Sequence, residues 1–333
     1  MGNFQVLIKT YRSILEKFHA RKKLNLLFET RKKFTNNEIN FYQFLDEMNF
    51  YNSILFDYSK YINKTDISKI EIEDEKIIFH TRKDNIKIIF DGTDMRGVPF
   101  EKINFFEYEK DELEIINQII VDDMIILDIG ANIGWYSMLF GKKYPKAFIY
   151  AFEPISELYR YCLENINFND LKNVNIFNIG LSNFNGKQSL YFSPETAALS
   201  SNKNIIEYKN MQKEEVVVKT LDSFINEIEL DKLDFIKCDV EGAELNVILG
   251  ALNSIKRFLP VIFIELFHEW SIHYDYHPNQ VINIFHELGY LSFIPNNGKI
   301  HEVKSYVGEN FSKQNYFFLH KIKHKNLIEK LKV

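Results

Sequence analysis

At 333 residues the chain exceeds one average domain, and an apolar fraction of 46% is ordinary for a protein with a real core. A net charge of −5 offers no basic face to a polyanion, so no nucleic-acid partner is expected. Two cysteines, Cys162 and Cys238, make neither a disulfide framework nor a zinc signature, and the expected setting is a reducing cytoplasm. No apolar run approaches a membrane span, no signal-peptide core stands near the N-terminus, and Val6 breaks the myristoylation pattern that Met1-Gly2 would begin.

The first elements are helical. Leu7, Tyr11, Ile14, Leu15 and Phe18 form a helical stripe, and a second helix is expected from Asn37 to Met48. The basic runs Arg21-Lys22-Lys23 and Arg31-Lys32-Lys33 read as solvated helix ends. From Ile67 to Phe90 the pattern changes to short β runs, Lys69–Ile72, Lys76–Phe79 and Ile86–Phe90, which suit a small meander. Residues 1–100 are therefore expected to form an accessory module packed against a larger domain at 101–322, with 323–333 as a basic tail.

From Asp122 strands and helices alternate. Strands are expected to end at Leu127, Phe152, Asn178, Cys238 and Ile264, paired in parallel through right-handed crossovers. Pro278 suits a helix start and Gly289 a helix end, with Val281, Ile282, Phe285 and Leu288 on one face between them. Tyr290–Ile294 and Asn315–Leu319 read as the two last strands, joined around Asn296-Asn297-Gly298. Gly186–Phe192 and Glu215–Thr220 read as an added hairpin beside the edge of the site.

The run Met124-Ile-Ile-Leu-Asp-Ile-Gly-Ala-Asn-Ile-Gly-Trp135 takes a short apolar strand through two glycines into a helix. Nineteen residues after Gly134 a second strand ends in Glu153. That is the layout of a doubly wound nucleoside site. A dinucleotide fold places glycine at the first, third and sixth positions of the turn, to close on a pyrophosphate. Counting from Gly130, those later positions hold Asn132 and Trp135, which disfavours an NAD-dependent oxidoreductase. A ligand without phosphates, such as S-adenosylmethionine, tolerates them.

Leu127-Asp-Ile-Gly-Ala-Asn-Ile-Gly134, Phe152-Glu153-Pro154, Leu233-Asp-Phe-Ile-Lys-Cys-Asp-Val-Glu-Gly-Ala-Glu244 and Pro260-Val-Ile-Phe-Ile-Glu265 stand in this order. Together they resemble an FkbM-type methyltransferase, over roughly Phe106 to Leu319. The resemblance implies an α/β protein of the class I (Rossmann-like) methyltransferase fold, with a seven-stranded, mostly parallel sheet. It also implies S-adenosylmethionine as cofactor and O-methylation of a small hydroxylated acceptor, a sugar or nucleotide-linked sugar of surface-polysaccharide or glycoconjugate biosynthesis. A catalytically silent interaction module is the rival of another class. Asp128, Glu153 and Asp239 argue against it, since a scaffold has no need of them. Amino-group methylation of nucleic acid is disfavoured because the fourth strand tip carries Asp239-Val-Glu-Gly in place of an Asp/Asn-Pro-Pro-aromatic run.

The cofactor sets three demands. Backbone from Gly130 through Asn132 to Gly134 must approach the methionine part, with Asp128 near its ammonium and Tyr136 on the helix beyond. Glu153, followed by Pro154, supplies an acceptor for the ribose diol. Gly180, Leu181 and Ser182 after the third strand offer an adenine slot. Asp239 belongs to both the cofactor and the catalytic set.

Methyl transfer to oxygen needs positioning and a base for the acceptor proton. Lys237 shares a strand face with Asp239, and Glu265 follows an apolar run, where a carboxylate is costly to bury unpaired. Asp239 and Glu265 are expected to organise the site, with His268 as the base by its ordinary pKa. Family members often carry histidine two positions after this glutamate, where this chain has Phe267. The bland alternative for Glu265 is a salt bridge with Lys237. No metal is expected. Were one used, Asp239 and Glu265 would hold magnesium through oxygen ligands. Trp270, Tyr274 and Tyr276 are candidates to shape an acceptor pocket, the stretch Ser193–Lys209 to make acceptor contacts or act as a lid, and Lys203, Lys209 and Lys213 to meet a diphosphate.

Overall fold

A computed structural model of the protein describes residues 25–73, 76–90, 98–105, 108–193, 196–201, 211–308 and 314–333. The expected stripe at residues 5–20 and the run Arg21-Lys22-Lys23 lie outside them. The chain divides into two compact units, residues 1–63 and 64–333.

In the first unit α1 (Leu26–Thr35) and α2 (Phe41–Tyr61) are joined by a short turn. Asn40 starts α2 with a capping box. Its side chain accepts the Gln43 amide at 3.0 Å and the Gln43 side chain accepts the Asn40 amide at 3.0 Å. The helix runs past the expected end at Met48 because neither glycine nor proline interrupts it before Tyr61. Thr30 donates to Glu47 at 2.7 Å, and Phe34 stacks on Phe44 at 4.5 Å, which closes the hairpin.

The second unit opens with an antiparallel meander, β1 (Ile67–Glu73), β2 (Lys76–Thr81) and β3 (Lys87–Phe90). Next come α3 (Val98–Phe105) and α4 (Lys110–Ile119), the latter burying Ile115, Ile116 and Ile119. Strand β4 (Ile125–Ile129) leads to α5 (Trp135–Lys143), and β5 (Phe148–Phe152) to α6 (Ser156–Phe168). After β6 (Val174–Phe177) come β7 (Gly180–Leu181), β8 (Gly186–Ser193), β9 (Thr196–Ser201) and β10 (Gln212–Lys219). The chain continues through α7 (Leu221–Glu227), β11 (Phe235–Cys238), α8 (Glu244–Leu249), α9 (Leu252–Phe258) and β12 (Val261–Glu265). It ends with α10 (His268–Ser271), α11 (Asn279–Glu287), β13 (Tyr290–Asn296), β14 (Lys299–Val303), β15 (Asn315–His320) and α12 (Lys325–Leu331).

The central sheet has the order β14-β13-β15-β12-β11-β4-β5-β6. Strands β6, β5, β4, β11 and β12 run parallel, and β15 lies antiparallel between β12 and β13. Parallel strands buried on both faces read as apolar runs, and Val261–Ile264 is buried throughout, as is Phe235–Cys238, where Lys237 is the one charged residue. One continuous core joins Leu127, Phe152, Phe224, Ile236, Ile264, Phe285 and Phe318 across the sheet. The order turns around at β4, which has β5 on one side and β11 on the other. Such a switch opens a crevice at the carboxyl ends of the strands.

Two expectations are corrected. Among the described residues the sheet has eight strands, not seven. The Asn297-Gly298 turn, with φ 50° and 69°, joins β13 to the extra strand β14, not to β15. In addition, the C-terminal residues are not a mere tail, since α12 buries Ile328 and Leu331. The expected hairpin is present as β8 and β10, and it is widened by β7 and β9 into a four-stranded sheet.

Candidate active site

A cavity of about 290 Å³ opens at the carboxyl ends of β4, β5, β11 and β12. Of the residues singled out from sequence, Gly130, Asn132, Tyr136, Glu153, Pro154, Gly180, Leu181, Ser182, Lys237, Asp239 and Glu265 line it. Asp128, Gly134 and His268 are not among the lining residues.

The glycine turn is built by close approach. Gly130 has φ 77°, and a Cβ there would fall 1.8 Å from the Asp239 carbonyl oxygen. Gly134 has φ 89°, and its Cβ would meet the Cys162 sulfur at 2.6 Å. Both positions require glycine for conformation and for space. Asn132, at φ 53°, occupies the same left-handed region, which asparagine tolerates.

Glu153 closes β5 with its carboxylate fixed by backbone. One oxygen accepts the Asn132 amide at 2.9 Å and the other the Ile155 amide at 2.9 Å. Each oxygen keeps a further lone pair. Burial lifts this carboxyl to about 7 against the lowering effect of those two amides. Asp128 is fully buried beneath the turn. It accepts from Ser137 at 2.6 Å and lies 3.5 Å from the Lys237 ammonium. Asp128 therefore acts on the cavity through Lys237. Lys237 in turn donates to the Gly130 carbonyl at 2.9 Å and stands 3.5 Å from Asp239. Burial alone would lower the Lys237 pKa. The carboxylates of Asp239, Asp128 and Glu109 outweigh it, so the ammonium is held above its ordinary range.

Four carboxylates, Glu109, Asp239, Glu241 and Glu265, line one end of the cavity. Burial raises Glu265 well above the usual carboxylate range, with Asp239, Glu241 and Glu244 pushing the same way. Sequence reasoning missed Glu109. It accepts from the Tyr136 hydroxyl, and Asn315 donates to it at 3.3 Å. Burial lifts its carboxyl to about 7, against the Tyr136 hydrogen bond. Its one sequence signal was position just ahead of a helix, which many solvated glutamates share.

The histidine and aromatic segment behaves differently from expectation. The His268 ring packs on His277 at 4.6 Å. Tyr276 is buried and donates to Glu244 at 2.9 Å. Glu244 also accepts the Val240 and Gly242 amides at 3.1 and 3.0 Å, so the family-like Asp-Val-Glu-Gly-Ala-Glu run is a self-capping turn. Within that aromatic cluster only Tyr274 lines the cavity. Lys213 lies 5.9 Å from the Tyr191 ring, while Lys203 and Lys209 fall outside the described residues. Among the described residues no three His, Cys, Asp or Glu side chains are grouped as a metal ligand set. None of the described helices is long and apolar enough to cross a membrane.

The parallel sheet, its switch point and the glycine-turn cleft define a class I methyltransferase fold. A model of the methyltransferase FkbM domain matches residues 128–292. Methyltransferase sdnD of Sordaria araneosa is 30% identical over 192 residues, which is 45% of this chain and 73% of that protein. The chain belongs to the FkbM methyltransferase family. It is also similar to 2-O-methyltransferase NoeI of Sinorhizobium fredii, 28% identical over 43% of this chain and 64% of that protein. Hexuronic acid methyltransferase AglP of Haloferax volcanii is 26% identical over 54% of this chain and 68% of that protein. Of two further relatives the chain spans only 8% and 65% of the length.

Proposed function

We propose that the protein is an S-adenosylmethionine-dependent O-methyltransferase acting on a hydroxyl of a small polyhydroxylated acceptor, a sugar in the first instance. One observation carries the reading: Glu153, locked by two backbone amides beside a left-handed glycine turn, lines the cavity with a lone pair to spare on each oxygen. Such a carboxylate suits a ribose diol, and the apolar walls at Phe152, Leu181 and Val218 suit an adenine face. The donor set therefore fits the cofactor, which supplies an activated methyl group. The names of NoeI and AglP, a 2-O-methyltransferase and a hexuronic acid methyltransferase, support oxygen and sugar as the acceptor chemistry.

The chain's own residues position the acceptor and take its proton. Asp239 and Glu109 face the cavity and are the carboxylates suited to that proton, in place of His268. Glu265, in the cavity wall with its carboxyl pushed up by burial, hydrogen-bonds the acceptor. Lys237 holds Gly130 and balances Asp128 and Asp239. The acidic end of the cavity opposes a diphosphate, so a sugar without one is favoured over a nucleotide-linked sugar.

The test offers isotopically labelled S-adenosylmethionine with free sugars, nucleotide sugars, hexuronic acids and structured RNA, and locates the methyl by mass spectrometry. Label on a sugar hydroxyl is expected. Label on RNA, or on nitrogen of any acceptor, overturns the substrate class.

A further inference from the structure

The three-stranded meander is outside the matched family region, yet it is wired into the cofactor turn. Among the described residues β3 is an edge strand, with β2 on one side. Its other edge is met by side-chain amides from α6 and the residue that caps its end, and not by another strand. Asn169 accepts the Lys87 amide at 2.9 Å and donates to the Lys87 carbonyl at 2.7 Å. One turn earlier, Asn165 accepts the Ile89 amide at 2.8 Å. The same Asn165 side chain donates to the Ile133 carbonyl at 3.0 Å, inside the glycine turn. Asn165 is fully buried, and Cys162 on the same helix face backs Gly134.

A second tie runs parallel to the first. Lys102 of α3 makes a buried ion pair with Asp66, just ahead of β1, at 2.7 Å. Its ammonium lies 4.4 Å from the Trp135 ring centroid, at the start of the helix that follows the turn. Phe90 at the end of β3 and Val98 at the start of α3 line the cavity beside Ile133 and Trp135.

We infer that the meander is a working wall of the cofactor site and that Asn165 is a positioning residue, joining the docking of β3 to the shape of the Gly130–Gly134 turn. An asparagine amide suits this post because one planar group offers an acceptor to β3 and a donor to the turn. Aspartate keeps the acceptor and loses the donor. Coupling between two such regions is reciprocal, so whatever loosens β3 must weaken the ligand that the turn holds. The inference rests on the reading of the cleft as an S-adenosylmethionine site.

The experiment is calorimetric titration of full-length protein with S-adenosylhomocysteine, with a melting curve of each unliganded variant as the check on folding. Asn165→Asp is expected to weaken binding at least tenfold. Asn169→Ala changes no residue of the turn and removes the Lys87 clamp, together with the Asn169 contacts to Met138 and the Asn165 carbonyl, and a several-fold loss is expected. In unmutated protein, bound ligand should slow hydrogen exchange at Lys87 and Ile89 more than at Phe293 and His301 of the distant β13–β14 hairpin. That comparison needs no variant to fold. A folded variant that binds as tightly as the unmutated protein, or equal slowing at both places, overturns the inference. No binding by the unmutated protein would instead overturn the cofactor reading itself.

Discussion

The two ends of the cleft are built on different principles. The cofactor end is a backbone object, in which glycine turns, amide donors and one clamped carboxylate come from the consecutive β4–α5 and β5–α6 links. The carboxylate end is a side-chain object, in which Glu109 precedes α4, Asp239 follows β11 and Glu265 ends β12, with Asn315 reaching in from β15. A backbone site ties residue type to local geometry, whereas a side-chain site assembled from distant segments leaves the residue types free to vary. Perturbations at the first end should therefore be large and specific, and those at the second smaller and dependent on pH.

Gly130→Ala should give the largest effect. The added methyl group meets backbone at 1.8 Å in a left-handed conformation, so affinity for S-adenosylhomocysteine should fall by more than about a hundredfold, about 3 kcal/mol. Calorimetry on the folded variant checks it, and a loss below tenfold would break the contrast between the two ends. Glu153→Ala should weaken binding by about 1.5–3 kcal/mol, the scale of hydrogen bonds to a charged group. Unchanged affinity would remove Glu153 from the cofactor site.

Glu244 sharpens the second half of the comparison. Burial lifts its carboxyl from an ordinary 4.5 to about 7, so the folded protein keeps a proton that the unfolded chain releases. Its contribution to stability is full below 4.5 and is lost as pH rises through 7, with a slope of at most about 1.4 kcal/mol per pH unit. Urea titrations from pH 4.5 to 8 should show that decline flattened in Glu244→Gln. A steeper decline in the variant would reverse the sign. The smallest effect belongs to Glu265→Gln, which replaces a carboxyl that burial biases toward its neutral form by a near-isosteric amide. S-adenosylhomocysteine affinity measured at pH 7 should change by less than about threefold. A loss of tenfold or more would mean that Glu265 works as a charged group.

The same contrast explains what could be read from the sequence. The β4 turn, the parallel strand series, and the places of Glu153 and Gly180 to Ser182 in the cavity wall were legible because short motifs impose them within a few residues. Glu109 was not, since nothing local separates a glutamate at a helix start from one folded against Tyr136. His268 stood out by its pKa class, but its position is set by packing on His277, which no spacing rule supplies. The extra strand β14 was hidden because the Asn-Gly turn signal fixes a hairpin without saying which later segment is the partner. Asn165 carries no local signal on its helix, since its partners Ile89 and Ile133 lie 76 and 32 residues earlier.

The most direct test of the central claim is a pair of calorimetric titrations of the unmutated protein, one with S-adenosylhomocysteine and one with NAD. Trp135 stands where a dinucleotide turn needs its third glycine, and Glu153 in the same cavity is the carboxylate proposed to meet the ribose. Saturable one-to-one binding of S-adenosylhomocysteine, with no heat from NAD, is the predicted result. Saturable binding of NAD and none of S-adenosylhomocysteine would contradict the account.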